Sequence, residues 1–155
     1  MKTPIIPNNR LTDSLKLNNQ LCFALYSTLL GMNKVYRKLL KELDITYPQY
    51  LVMLVLWEQD HVNVSDICEQ LLLETPTLTP LLKRLETRGL IDRKRSATDE
   101  RQVMVTLTEA GHALRQRAEG IPECVAQAVG CSLEEIVMLR EQLVKLRGNL
   151  FKDGG

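Results

Sequence analysis

The first candidate for chemistry in this sequence is Cys22, which lies in the segment NNQLCFALYSTL. Tyr26 follows four residues later, one turn away if the segment is helical. A cysteine thiolate is a nucleophile, whereas a cysteine among apolar residues is usually an inert small hydrophobe buried in a core. The residue types alone leave both interpretations open.

The other cysteines and the histidines show no metal-ligand spacing. Cys68, Cys124 and Cys131 are scattered, no C-x-x-C pair occurs, and neither His61 nor His112 is near a cysteine in sequence. We therefore expect no structural disulfide framework, no metal site and no cofactor. Cys68 is interpreted as a packing residue, and neither histidine has an evident role.

The charge distribution is uneven although the net charge is only +1. From Thr75 to Arg101, seven basic residues stand against four acidic ones, a local excess of 7 − 4 = +3. A basic segment in a neutral chain is weak evidence for nucleic-acid binding. On charge alone, a solvated charged face is the better interpretation.

The sequence shows no signal for a membrane or for secretion. The longest apolar run, Tyr50 to Trp57, is far shorter than the ~20 residues that span a bilayer. The N-terminal residues lack the basic start, apolar stretch and cleavage site of a secretory signal. We expect a cytoplasmic protein that does not bind a membrane.

The N-terminal third of the chain predicts two helices. Apolar residues from Leu21 to Leu43 recur at steps of 4, 4, 3, 4, 3 and 4, which indicates one long helix within about residues 13–43. The segment YPQYLVMLVLWEQ is apolar nearly all round and predicts a buried helix with Pro48 in its first turn.

The C-terminal third is also helical by its pattern, over about residues 108–151. Thr108 is a candidate cap for a helix that Gly120 and Pro122 would kink, and Ser132 is a candidate cap for the last helix. Long amphipathic helices at both ends exceed what one small module can cover, so we expect them to form a dimer interface.

Two short helices are predicted between these ends, over about residues 64–89. Ser65 is interpreted as the N-cap of the first, which ends near Leu72. The second begins near Thr75 or Thr77, and Thr77 is favoured because Pro80 is tolerated only in a first turn. Gly89 is interpreted as the C-terminal cap of that helix.

A β-hairpin is predicted directly after Gly89, over about residues 90–107. The segments LIDRKR and RQVMVTLT favour strands, and SATDE between them is typical of a turn. Helix, turn, helix and hairpin in this order predict a winged helix-turn-helix, a mainly α fold with a small β-hairpin wing. We expect residues 1–155 to form a single domain of this class.

Four segments carry a resemblance to a known family: NNQLCFALYS, YRKLLKELDITYPQYLVMLVLWE, TLTPLLKRLETRGLI and DERQVMVTLTEAG. They resemble the MarR-type winged-helix regulators, and the first two are similar to the organic hydroperoxide resistance (OhrR-type) branch. The resemblance implies a homodimeric repressor, not an enzyme, that binds double-stranded palindromic operator DNA. Oxidation of its reactive cysteine by an organic hydroperoxide would release the DNA.

The resemblance also implies roles for individual residues of the sensor. Cys22 matches the reactive cysteine, and Tyr36 and Tyr47 match tyrosines that hydrogen-bond its sulfur. Tyr26 matches a further aromatic position beside it. Without the resemblance, core packing is the better interpretation of these tyrosines. Cys22 and Tyr36 are fourteen positions apart, roughly 21 Å along a helix, so a contact between them requires the partner subunit.

The second, resolving cysteine departs from the family pattern. The expected position, a few residues after Pro122, aligns with Gln127. Cys124 lies about one turn before it and Cys131 about one turn after it. Gly130 indicates a turn beside Cys131, so Cys124 is the favoured resolving cysteine and Cys131 stays the alternative.

Candidate DNA contacts come from the second helix of the motif and from the wing. On the helix they are Thr75, Thr77, Thr79, Lys83 and Arg84, and in the wing they are Arg93, Arg95, Asp99 and Arg101. The Asp-x-Arg at Asp99 and Arg101 is the wing pattern of the family, and such an arginine suits a narrow minor groove. A regulator that responds to a phenolic ligand, or less readily a thiol peroxidase, is the alternative function.

Overall fold

The computed structural model describes residues 13–153. The N-terminal residues on which the expectation about secretion depends lie outside this range. By its internal contacts the chain divides into two compact units, Met1–Tyr47 and Pro48–Gly155. The single domain stays a prediction.

The first unit is built on one long helix. A 3-10 turn at Leu17–Asn19 precedes α1, Leu21–Leu40, and a second 3-10 turn follows at Lys41–Leu43. The helix is therefore shorter than predicted at its N-terminal end. The 3-10 turn at Lys41–Leu43 is capped by Asp44, whose left-handed backbone with φ 52° cannot continue a right-handed helix.

The second unit opens with the buried helix that the sequence predicts. Helix α2 spans Tyr47–Glu58 and has Pro48 in its first turn. Its fully or nearly fully buried apolar residues are Tyr50, Val52, Met53, Val55 and Leu56.

The helix-turn-helix is present, with two corrections to its boundaries. Helix α3 spans Val64–Leu71, and its N-cap is Asn63, whose side chain accepts the Asp66 N–H, instead of Ser65. The second helix, α4, spans Thr75–Thr87, so it begins at Thr75 and not at the favoured Thr77, about half a turn later.

The early start of α4 places Pro80 inside the helix. Pro76 takes the first-turn position, where a missing N–H costs little, and the N–H groups of Thr77 and Leu78 donate to the Glu74 carbonyl. Pro80 removes one helical bond to the carbonyl of Pro76. Both prolines are exposed, so water can solvate that carbonyl and the helix tolerates the loss.

The end of α4 and the wing match the prediction. Gly89 has φ +74°, and the Leu90 and Gly89 N–H groups donate to the carbonyls of Leu85 and Glu86, which is a Schellman cap. The wing strands are β2, Ile91–Arg95, and β3, Val103–Leu107, paired antiparallel with Arg93 opposite Val105.

A third strand was not predicted. Strand β1, Val62–Asn63, pairs antiparallel with β3, so the sheet order is β1-β3-β2. Two residues are too few to show an alternating pattern in sequence. The core of this unit joins the sheet to the helix-turn-helix through fully buried residues: Ile67, Leu78, Leu82, Leu85, Ile91 and Val105.

The C-terminal region contains three helices where two were predicted. Helix α5 is Glu109–Ala118, α6 is Ile121–Val129 and α7 is Leu133–Asp153. The expected kink at Gly120 and Pro122 is a break, because a proline has no N–H to donate and its ring clashes with the carbonyl four residues earlier.

The predicted caps of α5 and α7 are confirmed. The Thr108 hydroxyl accepts the Gly111 N–H at 3.1 Å. Ser132 and Glu135 form a reciprocal capping box, with distances of 2.7 and 3.2 Å. Over residues 13–153, no helix has the length and apolar character needed to cross a bilayer.

Candidate DNA-binding surface and thiol site

The polar residues predicted to contact DNA on α4 all face solvent. Thr75, Thr77, Thr79, Lys83 and Arg84 are exposed. The Thr79 hydroxyl donates to the Thr75 carbonyl at 2.9 Å, so its proton already has an acceptor. The Thr75 hydroxyl lies 3.8 Å from the Cys68 sulfur, which is half-buried as a packing residue would be.

Asp99 organises the wing turn by accepting one hydrogen bond on its side chain and one on its backbone. Its carboxylate accepts the backbone N–H of Arg101 at 3.0 Å, and its carbonyl accepts the Gln102 N–H at 3.0 Å. Asp99 therefore shapes the turn through hydrogen bonds to the backbone. Arg101 and Arg95 are exposed, as a DNA contact requires.

Arg93 differs from these two arginines because it has an acidic partner inside the chain. Its Nη2 donates to Glu86 Oε1 at 3.1 Å and its backbone N–H donates to Glu86 Oε2 at 3.1 Å. The hydrogen bond from Arg93 is the main cause that lowers the pKa of Glu86 below its usual value. Sequence analysis missed Glu86, although the opposite charges on either side of the Gly89 turn are a usable signal.

The residues predicted for the thiol sensor fall at opposite ends of α1. Cys22 and Tyr26 lie in its first two turns and both are exposed in the single chain, so one chain alone does not bury Cys22 in a core. Tyr36 lies near the other end, on the same uninterrupted helix.

Tyr36 and Tyr47, in contrast, lie together. Their ring centroids are 4.4 Å apart, with the planes tilted by 37°. Burial raises the pKa of Tyr47, because a low-polarity environment disfavours the phenolate. The Tyr47 hydroxyl therefore keeps its proton at neutral pH and remains a hydrogen-bond donor.

The two candidate resolving cysteines are both free and exposed. Cys124 lies on α6, a nine-residue helix that begins directly after Gly120. Cys131 lies in the link between α6 and α7, where its thiol is 3.7 Å from the Val129 carbonyl. Within residues 13–153, no three His, Cys, Asp or Glu residues are grouped as a metal site would require.

A junction at the base of the wing escaped sequence analysis. Asp60 Oδ1 accepts the N–H groups of His61 and Leu107, each at 2.8 Å, and Asp60 Oδ2 lies 3.3 Å from His112 Nε2. Trp57 Nε1 donates to the Gly111 carbonyl at 2.9 Å. The end of α2 is thereby bonded both to the end of β3 and to α5.

A pocket of ≈ 330 Å³ lies beside this junction, between α2 and the helices α5 and α6. Its lining is largely apolar but includes three charged residues. The lining residues are Tyr50, Leu54, Trp57, Glu58, Arg115, Ala118, Glu119 and Pro122.

A helix-turn-helix with an exposed polar and basic second helix, followed by a basic hairpin, defines a winged-helix transcriptional regulator that binds DNA. Comparison with known families supports this class of protein. Residues 34–117 match the family described as "Transcriptional regulator SarA/Rot". The chain belongs to these MarR-like winged-helix regulators.

Individual relatives extend this similarity over nearly the whole chain. The organic hydroperoxide resistance transcriptional regulator of Bacillus subtilis (strain 168) is 48% identical over 134 residues, which cover 86% of this chain and 91% of the relative. AbfR is a Staphylococcus epidermidis protein. Its reduced form bound to DNA is 37% identical and has a TM-score of 0.74, with 92% of this chain and 99% of that chain covered. Its disulfide form is 38% identical with a TM-score of 0.59, covering 89% and 97%.

Proposed function

We propose that this protein is a homodimeric repressor that leaves a palindromic operator when an organic hydroperoxide oxidises Cys22. The observation that carries the proposal is the layout of the sensor residues: Cys22 lies at one end of α1, and Tyr36 lies against Tyr47 at the other. Similarity to a regulator named for organic hydroperoxide resistance, and to a protein known in reduced, DNA-bound and disulfide forms, supports it.

A homodimer brings these ends together. Fourteen residues of helix separate Cys22 from Tyr36 by roughly 21 Å, so one chain cannot join them. An antiparallel α1 from a second copy would place its Tyr36 and Tyr47 beside Cys22. The exposed apolar residues of α1 and α7 support this, because large exposed apolar faces mark interfaces. They include Leu21, Phe23, Leu29, Leu30, Met138, Leu139, Leu143, Val144, Leu150 and Phe151.

The tyrosines suit a peroxide-reactive thiolate. Covering Cys22 at an interface disfavours its charged form, and hydrogen bonds from neutral phenols offset that cost. The thiolate attacks the hydroperoxide, the O–O bond breaks, and the alkoxide leaves and takes up a proton to become the alcohol. Cys22 becomes a sulfenic acid, and a second thiol displaces its oxygen as water to form a disulfide.

Cys124 is the proposed second thiol. A disulfide needs Cα atoms within about 7 Å, so a more distant cysteine must move to form it. Helix α6 has only nine residues, lies between Gly120 and Gly130, and contributes Ile121 as its buried residue. A helix this short and weakly anchored opens locally at low cost.

The winged motifs of the two subunits would read the operator together. Helix α4 enters the major groove, where Lys83 and Arg84 contact phosphates or guanines and the threonines near its start contact phosphates or bases. Arg101 enters the minor groove from the wing. Two half-sites require a fixed spacing between the two α4 helices, so a disulfide that shifts the subunits weakens binding.

The test is an operator gel shift with and without organic hydroperoxide, on the wild type and on Cys22→Ser. We expect peroxide to release the wild type and to leave the serine variant on the DNA. Release of Cys22→Ser by peroxide would refute the proposed sensor.

The ≈ 330 Å³ pocket favours a second candidate, a regulator released by a small phenolic ligand. Its largely apolar lining, which includes Arg115, fits an aromatic acid or phenol. The Cys22→Ser variant separates the two functions. In a ligand-gated regulator, this variant would still leave the operator when the ligand is added, and peroxide would not release the wild type.

A further inference from the structure

The contact between Glu86 and Arg93 joins the two parts of the motif that face DNA. Glu86 lies in the last turn of α4 and Arg93 lies in the middle of β2, the first wing strand. One carboxylate accepts both the backbone N–H and the guanidinium of the same residue, each at 3.1 Å. We call this pair of hydrogen bonds the helix–wing clip.

The sheet topology explains why the clip has a place to form. In the order β1-β3-β2, strand β2 is an edge, so half of its N–H groups have no neighbouring strand. Glu86 accepts a hydrogen bond from the backbone N–H of Arg93, and this bond joins the edge strand of the wing directly to α4. Carboxylates that accept hydrogen bonds from a guanidinium form the stronger class of such bonds.

The position of Arg93 argues that this pairing is its role. Its side chain is 24% exposed, and within the described residues its buried Nε has no hydrogen-bond partner. A phosphate-binding arginine would keep its donors accessible. Burying the unpaired Nε–H group is unfavourable. The hydrogen bonds to Glu86 must therefore offset this cost and hold the Arg93 side chain in place.

We propose that Glu86 is a positioning residue for DNA recognition: through Arg93 it sets the angle of the wing relative to α4, so that Arg101 reaches its groove while α4 occupies the major groove. The inference rests on the wing contact proposed above. Arg93, a candidate DNA contact by sequence, is thereby assigned to the helix–wing clip instead.

The proposal predicts a change in operator affinity opposite to the one expected from simple electrostatics. DNA repels a carboxylate, so replacing an acidic residue near it by glutamine should strengthen binding. Glu74 offers the matched control, because it is the exposed N-cap of the same helix and its side chain makes no capping hydrogen bond. We expect Glu74→Gln to bind operator as well as the wild type or roughly twofold more tightly. We expect Glu86→Gln to bind roughly three- to tenfold more weakly.

A second background separates positioning from a general loss of stability. If the clip acts by placing Arg101, Glu86→Gln should lose most of its effect when Arg101 is already alanine, because interacting sites are not additive. A variant that merely loosens the fold would weaken binding by the same factor in both backgrounds. Fluorescence anisotropy at fixed salt gives the affinities, and stoichiometric DNA titration gives the active fraction of each preparation.

The outcomes are distinct. Tighter binding by Glu86→Gln, as for Glu74→Gln, or an equal loss in both backgrounds overturns the helix–wing clip as a positioning device. If Arg101→Ala alone binds normally, the wing contact of the proposed function fails and the clip has nothing to position. If Arg101→Ala weakens binding and Glu86→Gln does not, the wing contact stands and only the clip is refuted.

Discussion

Gly111→Ala should destabilise the second unit even though it places a better helix former in a helix. A Cβ at Gly111 would lie 2.2 Å from the Leu90 carbonyl oxygen and 3.1 Å from Leu107 Cδ2. The first distance is to backbone, which cannot move aside as a side chain can. Helix α5 must therefore shift by about 1 Å away from the wing base to relieve the overlap.

The magnitude follows from the bonds that such a shift strains. The Thr108 N–H donates to the Leu90 carbonyl at 3.1 Å, and Trp57 Nε1 donates to the Gly111 carbonyl at 2.9 Å. Losing both hydrogen bonds costs ~2 kcal/mol, and overpacking costs a further ~1–3 kcal/mol. The higher helix propensity of alanine offsets ~1 kcal/mol of this loss. The free energy of unfolding should fall by ~2–4 kcal/mol, which lowers Tm by roughly 5–15 °C for a chain of this size.

The assay is urea and thermal unfolding followed by circular dichroism, at one fixed protein concentration because the protein is expected to be a dimer. Gly120→Ala is the matched control. Gly120 has φ −81°, and a Cβ there meets nothing within 4 Å, so this variant should be as stable as the wild type or slightly more stable. Equal stability of Gly111→Ala and the wild type would refute the reasoning.

The other predictions concern the dimer, the thiols, the wing and pH. Light scattering at micromolar concentration should give the mass of a dimer, and a monomer would remove the basis for a shared sensor. On non-reducing gels after one equivalent of organic hydroperoxide, a covalent dimer should form in the wild type and in Cys131→Ser but not in Cys22→Ser or Cys124→Ser; loss in Cys131→Ser alone would reassign the second thiol. Arg101→Ala should weaken operator binding by ~1–3 kcal/mol with no change in the oxidation of Cys22, measured by anisotropy and thiol titration. Because the pKa of Glu86 is lowered on folding, its ion pair stabilises the fold above the usual pKa of 4.5 and is lost as pH falls through the lowered value. The stability difference between the wild type and Glu86→Gln should therefore shrink from pH 7 to pH 3, and a constant difference would contradict this.

Local signals in the sequence determined the winged helix-turn-helix. The Schellman cap at Gly89, the Thr108 cap and the Ser132 capping box each involve residues within six positions of one another, so their physics is visible in a short window. Apolar periodicity adds the buried faces of the helices. Where two local rules competed, as at Pro76 and Pro80, the boundary of α4 was wrong by half a turn.

Only the tertiary structure decided which distant groups meet. Trp57 bonds Gly111 across 54 positions and Asp60 bonds Leu107 across 47, and the two-residue β1 is a strand only because β3 lies beside it. Arg93 is a further example. Its place in the sequence is that of an ordinary basic residue of the wing, and only the structure shows that its guanidinium donates to Glu86. Residue type sets which hydrogen bonds a group can make, but the partner it receives depends on how the chain packs, and no local pattern records that choice.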